Sequence, residues 1–195
     1  MSHLEIPLTH IDNFIYCLEV VPDVATTDST EVLTILEDMA TQQHITSIYR
    51  ACDTIEDLED SINHLLYDDH HFKDYEIIYL VLPGEGNNIL INGYYYSIEE
   101  MAELFEGKMD GKLIHFANKK TLDLTDEESQ YFLDVTGARA ISGYGVPSPH
   151  MTSAFTIDRI FFSLFYENDD IKEVVERLFY KQYKLCKLLD FRLYY

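Results

Sequence analysis

The pattern of hydrophobic positions along the chain predicts buried strands that alternate with amphipathic helices. The clearest stretch is 76–83, where six residues from Ile77 to Leu82 follow one another without a charged residue and end at Pro83. An apolar run of this length without a helical period is typical of a strand buried on both faces of a parallel sheet. Runs at 14–20, 45–51, 112–117 and 139–142 predict four more strands.

Apolar stripes at helical spacing lie between these runs and predict six helices. The helices begin near residues 29, 54, 98, 126, 151 and 171. The predicted N-terminal signals are Asp28 with Glu31, Asp53 or Thr54, and the capping boxes Ser97–Glu100 and Thr125–Glu128. Asn92-Gly93, between two β-prone runs, predicts a hairpin over 89–96. Residues 1–10 are expected to be a loose lead-in, and residues 190–195 a tail or an edge strand.

This order of elements predicts one α/β domain over residues 1–195, with three α/β/α layers, a mostly parallel sheet and the hairpin as an insertion. In open α/β sheets, ligand-binding and catalytic residues lie beyond the carboxyl ends of the strands. The candidate site at that edge consists of Glu19, Gly84, Glu85, His115 and Asn118. The sequence indicates no cofactor and no metal ligand set.

The charge of the chain restricts its partners. It has 195 residues, with 35 acidic and 14 basic side chains and a formal net charge of −21. This sign disfavours direct binding to nucleic acid and to anionic membranes. Two interpretations remain: the charge serves solubility, or it attracts a basic partner protein.

The cysteines and the N-terminus indicate a compartment. Cys17, Cys52 and Cys186 are an odd, widely spaced set, which favours reduced thiols in a cytoplasmic protein over a disulfide framework. No signal peptide is visible at the start, and no apolar run is long enough to cross a bilayer.

Four local phrases follow one another over most of the chain. They are Tyr16-Cys17-Leu18-Glu19, then Tyr79-Leu80-Val81-Leu82-Pro83-Gly84 before the hairpin, then Leu113-Ile114-His115-Phe116-Ala117 before Thr121-Leu122, and finally Thr136-Gly137-Ala138 through Ser142-Gly143-Tyr144 to Ser153-Ala154-Phe155. Their order resembles a family of uncharacterised bacterial caspase-like proteins related to CHAT domains, on the caspase–hemoglobinase fold.

The resemblance implies where a catalytic dyad would lie. In that family the third strand ends in His-Gly, with the histidine as general base, and the fourth strand ends in the nucleophilic cysteine. The matching positions here are Pro83 and Lys119, and neither can act as its counterpart. Lys120 next to Lys119 indicates a solvated pair of lysines. The resemblance therefore implies a pseudoenzyme without catalytic residues, and a role in stress or defence signalling by analogy.

Several other residues that could bind or catalyse also have simpler structural explanations. His115, inside an apolar strand, is expected to be a hydrogen-bonded core histidine rather than a base. His70-His71 beside Asp68-Asp69 is a weak metal signal. Ser142-Gly143-Tyr144-Gly145 is expected to be a tight turn that needs glycine, not a nucleophile elbow.

Three hypotheses for function result. The first is a non-catalytic domain that acts through protein–protein contact, with Tyr94, Tyr95 and Tyr96 on the hairpin as the candidate surface. Aromatic residues near the C-terminus, such as Tyr180 and Tyr183, are a candidate surface for homo-oligomers. The second is an enzyme of another class, a hydrolase at the carboxyl edge of the sheet. The third is an acidic decoy for a basic partner.

Overall fold

A six-stranded sheet forms the centre of the molecule in a computed structural model that describes residues 13–27, 30–70, 72–148 and 151–195. The strand order is β2-β1-β3-β7-β8-β9. The first five of these strands run parallel, and β9 pairs antiparallel with β8. The six strands are β1 (Asn13–Val20), β2 (Ile45–Cys52), β3 (Tyr75–Val81), β7 (Leu113–Phe116), β8 (Ala140–Tyr144) and β9 (Phe191–Tyr194).

Helices cover both faces of this sheet, so the predicted three-layer α/β/α fold is confirmed. One face carries α1 (Glu31–Gln43), α5 (Met151–Glu167) and α6 (Ile171–Leu189). The other carries α2 (Ile55–Tyr67), α3 (Ile98–Leu104) and α4 (Asp126–Thr136). Alternate residues of each strand pack into these two cores, because successive side chains of a strand point to opposite faces. In β3, for example, Ile77 and Tyr79 face α5, whereas Ile78 and Leu80 face the α2 side.

A small antiparallel sheet is inserted between β3 and α3. It consists of β4 (Gly84–Glu85), β5 (Asn88–Ile91) and β6 (Tyr94–Tyr96). The predicted hairpin is present, and Asn92 and Gly93 both have positive φ, as its tight turn requires. The strand β4 was not predicted, because two residues are too few to show a periodic pattern.

The helix starts follow the sequence signals closely. Both predicted capping boxes are formed, Ser97 with Glu100 at α3 and Thr125 with Glu128 at α4. Thr54, rather than Asp53, caps α2 and accepts from the backbone N–H of Asp57. The predicted cap Asp28 lies outside the described residues, and α1 begins after Thr30, whose side chain makes no cap bond.

One turn prediction was wrong. Gly143 and Tyr144 are the last two residues of β8 and are fully buried, so Ser142-Gly143-Tyr144 is strand and not turn. Gly143 is needed for close packing: a Cβ there would lie 3.0 Å from Leu122 Cδ2 and 3.4 Å from the Phe116 carbonyl oxygen. The short run that was predicted to end at 142 therefore continues to 144. The last residues form β9, the edge-strand alternative for 190–195.

Candidate functional site

The carboxyl edge of the sheet carries a buried ion pair. Glu19, near the end of β1, has a side chain that is 1% exposed, and its Oε1 lies 2.7 Å from Lys119 Nζ. The other carboxylate oxygen accepts a hydrogen bond of 2.9 Å from the Tyr49 hydroxyl. Burial and this bond to Glu19 raise the pKa of Tyr49, so the phenol remains a donor. Lys119, which follows β7, is therefore fixed as the counter-charge of Glu19.

The next lysine, Lys120, is buried, whereas Lys119 is partly exposed, so the prediction of a solvated pair was wrong for Lys120. Lys120 is 2% exposed, and its ammonium donates to the carbonyl oxygens of Gly86 at 3.1 Å and Thr121 at 2.8 Å. It also lies 4.9 Å from the centroid of the Phe116 ring. Burial without a carboxylate partner lowers the pKa of Lys120 to about 8. The side chain attaches the inserted sheet to the end of β7.

The residues after β3 have structural roles. The Pro83 carbonyl accepts a hydrogen bond of 2.7 Å from the backbone N–H of Leu90, which starts the small sheet. Gly84 pairs with Ile89 in β4, and a Cβ there would lie only 2.0 Å from the Asn88 carbonyl oxygen. The Glu85 side chain is exposed on the same short strand. Among the described residues, no hydrogen bond or ion pair joins Glu85 to Glu19 or Lys119, so this part of the predicted site is not assembled with the ion pair.

Asn118 holds two segments together. Its Nδ2 donates to the Val146 carbonyl at 2.9 Å, and its Oδ1 accepts from the backbone N–H of Ser148. Both partners belong to the loop after β8. Asn118 is 4% exposed, and both the nitrogen and the oxygen of its amide take part in these bonds. Asn118 is therefore a loop anchor and not a free binding group.

His115 lies in the core, away from the edge of the sheet. Its Nδ1 is 2.7 Å from Ser142 Oγ, and its Nε2 is 2.8 Å from Asp158 Oδ1. Asp158, on α5, also accepts from the hydroxyls of Tyr79 (2.6 Å, at Oδ2) and Tyr144. All five side chains are 0% exposed. His115 is the hydrogen-bonded core histidine that the sequence favoured.

This network has the residue types of an acyl-transfer triad, but Ser142 contacts Nδ1 and Asp158 contacts Nε2, the reverse of the arrangement in serine proteases, and substrate has no access to it. The rings of Phe161, Phe162 and Phe191 lie 5.2–6.3 Å from the His115 ring and enclose it. The pKa values of Tyr79 and Tyr144 are raised well above the usual value, mainly by burial and also by the Asp158 carboxylate. Both phenols therefore donate hydrogen bonds. The network is a buried polar cluster in which Asp158 has three donors.

Sequence reasoning missed Asp158, although a signal was present. Asp158 lies three residues after Phe155, three before Phe161 and four before Phe162, on the apolar stripe of α5. A carboxylate on a buried stripe needs partners, because an unpaired charge is very costly to bury. The position of Asp158 on the apolar stripe of α5 therefore indicated that it has a polar partner on the sheet. This partner is His115.

None of the three cysteines offers an exposed thiol. Cys17, Cys52 and Cys186 are unpaired and 0% exposed. Burial raises the pKa of Cys52 to about 12 and that of Cys186 to about 11. Burial and the Glu19 carboxylate raise the pKa of Cys17 well above its usual value. Thiols in such surroundings are poor nucleophiles.

The hairpin presents aromatic side chains to solvent. Tyr94 is 68% exposed and Tyr95 is 55% exposed, whereas Tyr96 is partly buried. Ile89 and Ile91 of the neighbouring strand are buried and attach the hairpin to the body of the domain. The two exposed tyrosines are therefore held on a supported element.

The described residues include neither a metal-binding cluster nor a membrane-spanning helix. In the part of the chain that the structure describes, no group of three or more His, Cys, Asp or Glu side chains is arranged to hold a metal ion. His71, one member of the weak His70-His71 signal, lies outside the described residues. No described helix combines the length and apolar character needed to cross a bilayer.

Fold and site together define a three-layer α/β domain whose sheet edge carries a Glu19–Lys119 ion pair. A protein-family model described as a family of unknown function (DUF6642) matches residues 12–195, and the chain belongs to this family. A search of curated proteins found no match.

Proposed function

We propose that this chain is a non-catalytic, caspase-like domain that acts through protein–protein contact. The observation that carries the proposal is the state of Lys119, at the position where the caspase-like family has its cysteine. Its ammonium is 2.7 Å from a buried carboxylate and is committed to neutralising it. A lysine whose ammonium group is held against a buried carboxylate is not available as a nucleophile.

The sheet geometry agrees with the resemblance. Strands β3 and β7 are neighbours and parallel, with Leu80 opposite Phe116, so the segments after them emerge at the same edge. A base at Pro83 and a nucleophile at Lys119 would face each other there in an active relative. The buried thiols, and the engagement of His115 and Asn118 in hydrogen bonds with other partners, disfavour the alternative of another hydrolase site.

The hairpin is the contact surface that we propose for the partner. Exposed tyrosines combine a large apolar surface with a hydroxyl and few rotatable bonds, which suits protein interfaces. Tyr94 and Tyr95 are such side chains on a two-stranded element supported by buried isoleucines. Contacts through aromatic rings are expected to survive high salt, unlike contacts through the acidic surface.

The test compares proteins retained from the native cell's lysate by the wild type and by Tyr94→Ser/Tyr95→Ser, at low and high salt. The control is Tyr131→Ser, which removes a tyrosine that is 40% exposed on α4. A specific protein retained by the wild type and the control at both salts, but not by the hairpin variant, is the expected result. Peptide hydrolysis that is lost on thiol alkylation would contradict the proposal.

A further inference from the structure

The outer surface of the last part of α6, which is kinked at Gln182, where φ and ψ are not helical, is basic and aromatic. Tyr180 is 91% exposed, Tyr183 60% and Leu188 66%. The lysines at 181, 184 and 187 are exposed between them, and residues 180–188 contain no acidic residue in a chain with 35 of them. We call this surface, Tyr180–Leu188, the basic face of α6. Large exposed apolar groups that alternate with charges of the minority sign are typical of a contact surface.

The basic face has no partner within the described residues. The ion pairs of the described chain involve Lys119, Arg177, Arg192 and two histidines, and none involves Lys181, Lys184 or Lys187. The three ammonium groups are therefore available to an external carboxylate.

A complementary surface lies at the opposite edge of the sheet. A groove of about 800 Å³ runs between β2 and α2, and five aspartates line it together with Arg50 and His64. The aspartates are Asp23, Asp53, Asp57, Asp60 and Asp68. We call this the acidic groove. Its floor borders β2, an eight-residue strand that pairs only with β1 among the described strands.

The two surfaces cannot meet within one molecule. β2 and β9 are the two edge strands of the six-stranded sheet. The acidic groove lies on the β2 edge with α2, on one face, whereas α6 packs on α5 and near β9, on the other face. Contact between the basic face and the acidic groove therefore requires two different copies of the chain.

We infer that this chain self-associates head to tail, with the basic face of α6 of one copy seated in the acidic groove of the next. The occupant of the groove is a second copy of this chain, chosen because the charges are complementary and both surfaces belong to every molecule. An interface between two different patches at opposite ends is heterologous, so it propagates into a filament or a ring instead of closing as a two-fold dimer.

The chemistry of the contact sets its salt dependence. The lysines of the basic face attract the aspartates at the rim of the acidic groove. This attraction extends over about one Debye length, which is about 10 Å at 0.1 M salt and about 3 Å at 1 M salt. Tyr180 and Tyr183 supply the apolar area that leaves water on docking. Association is therefore expected to weaken as salt is raised, and also when the tyrosines are removed at constant salt.

The first test is sedimentation velocity of the full chain over a range of concentrations, at about 0.05 M and about 0.5 M NaCl. The inference expects species larger than a dimer at low salt, and their loss at high salt. The variants Lys181→Glu/Lys184→Glu and Asp57→Lys/Asp60→Lys are each expected to weaken association at least about tenfold. Glu106→Lys/Glu127→Lys, which reverses two exposed acids elsewhere, is the matched control and should associate like the wild type.

The decisive test mixes the two charge-reversed variants. The intact basic face of the groove variant meets the intact acidic groove of the α6 variant, and the reversed α6 face, now acidic, meets the reversed groove, now basic, so both contacts are complementary again in the mixture. Mixed oligomers that grow from two variants that are each monomeric are the expected result. A monomeric wild type at low salt, or a dimer that neither reversal affects, would overturn the inference.

This inference is independent of the proposed partner contact at Tyr94 and Tyr95. The hairpin belongs to neither the basic face nor the acidic groove. The Tyr94→Ser/Tyr95→Ser variant should therefore self-associate normally while losing its partner.

Discussion

Lys119 Nζ lies 2.7 Å from Glu19 Oε1, and this ion pair spans the sheet from β7 to β1 across β3. The two partners differ in exposure: the lysine side chain is 29% exposed and the glutamate side chain is 1% exposed. The carboxylate therefore depends on the ammonium, whereas the ammonium can turn toward water. This asymmetry decides which single substitution is more harmful.

Lys119→Met is expected to lower the free energy of unfolding by about 2–3 kcal/mol, because it leaves a buried carboxylate with only the Tyr49 hydroxyl. Glu19→Gln is expected to cost about 1 kcal/mol, since the freed lysine regains solvent. Urea unfolding of both variants measures the difference. Arg177→Met removes an exposed ion pair with Glu167 and is the control, with an expected change within about 0.5 kcal/mol. Equal costs for Lys119→Met and Arg177→Met would contradict the asymmetry.

The buried Asp158 is expected to be the most sensitive polar position of the core. Asp158→Asn keeps the shape but replaces one acceptor oxygen with an NH₂ group facing the donors Tyr79, Tyr144 and His115. Unsatisfied donors and a lost charge-assisted network should cost about 3–5 kcal/mol in urea unfolding.

Ser142→Ala is the comparison for Asp158, because it removes a single neutral hydrogen bond to His115 and should cost about 1 kcal/mol. If Asp158→Asn unfolds at the same urea concentration as Ser142→Ala, Asp158 does not hold the network together. Near-UV circular dichroism of the tyrosines around Asp158 reports whether the core remains ordered.

Structural features that are specified by residues close together in the sequence could be predicted, whereas features that join distant residues could not. The capping boxes at Ser97 and Thr125 and the Asn92-Gly93 turn were predicted correctly, because each is specified by residues within three or four positions. The network of His115 and Asp158 joins residues 43 positions apart, so no local pattern specifies it. Lys120 was misjudged for the same reason: its burial depends on Gly86, in the inserted sheet.

Gly143 is expected to tolerate no side chain. In Gly143→Ala the new Cβ would lie 3.0 Å from Leu122 Cδ2 and 3.1 Å from Leu122 Cβ, closer than ordinary carbon contacts. The strand is paired on both sides, with β7 and with β9, and cannot move aside, so we expect a loss of about 1–3 kcal/mol in urea unfolding. Adding Leu122→Ala makes room for the methyl group, and the double variant should cost less than the sum of the two single changes. Strict additivity would show that the methyl group does not meet Leu122.

The last prediction concerns pH and Lys120. Burial lowers its pKa from 10.5 to about 8 in the folded protein, whereas the unfolded chain keeps the higher value. Between these two values the unfolded state holds a proton that the folded state lacks, so stability contributed by this group rises with pH and falls on acidification. The shift corresponds to about 3 kcal/mol, since each pKa unit is about 1.4 kcal/mol.

The measurement is the difference in free energy of unfolding between the wild type and Lys120→Met from about pH 7 to about pH 10. This difference should move in favour of the wild type as the pH rises, by about 2–3 kcal/mol. The neutral amine loses little, because its two N–H groups still serve the carbonyls of Gly86 and Thr121. Lys120→Arg remains charged throughout and should show no such gain. A difference that does not change with pH would mean that Lys120 remains charged where it is buried.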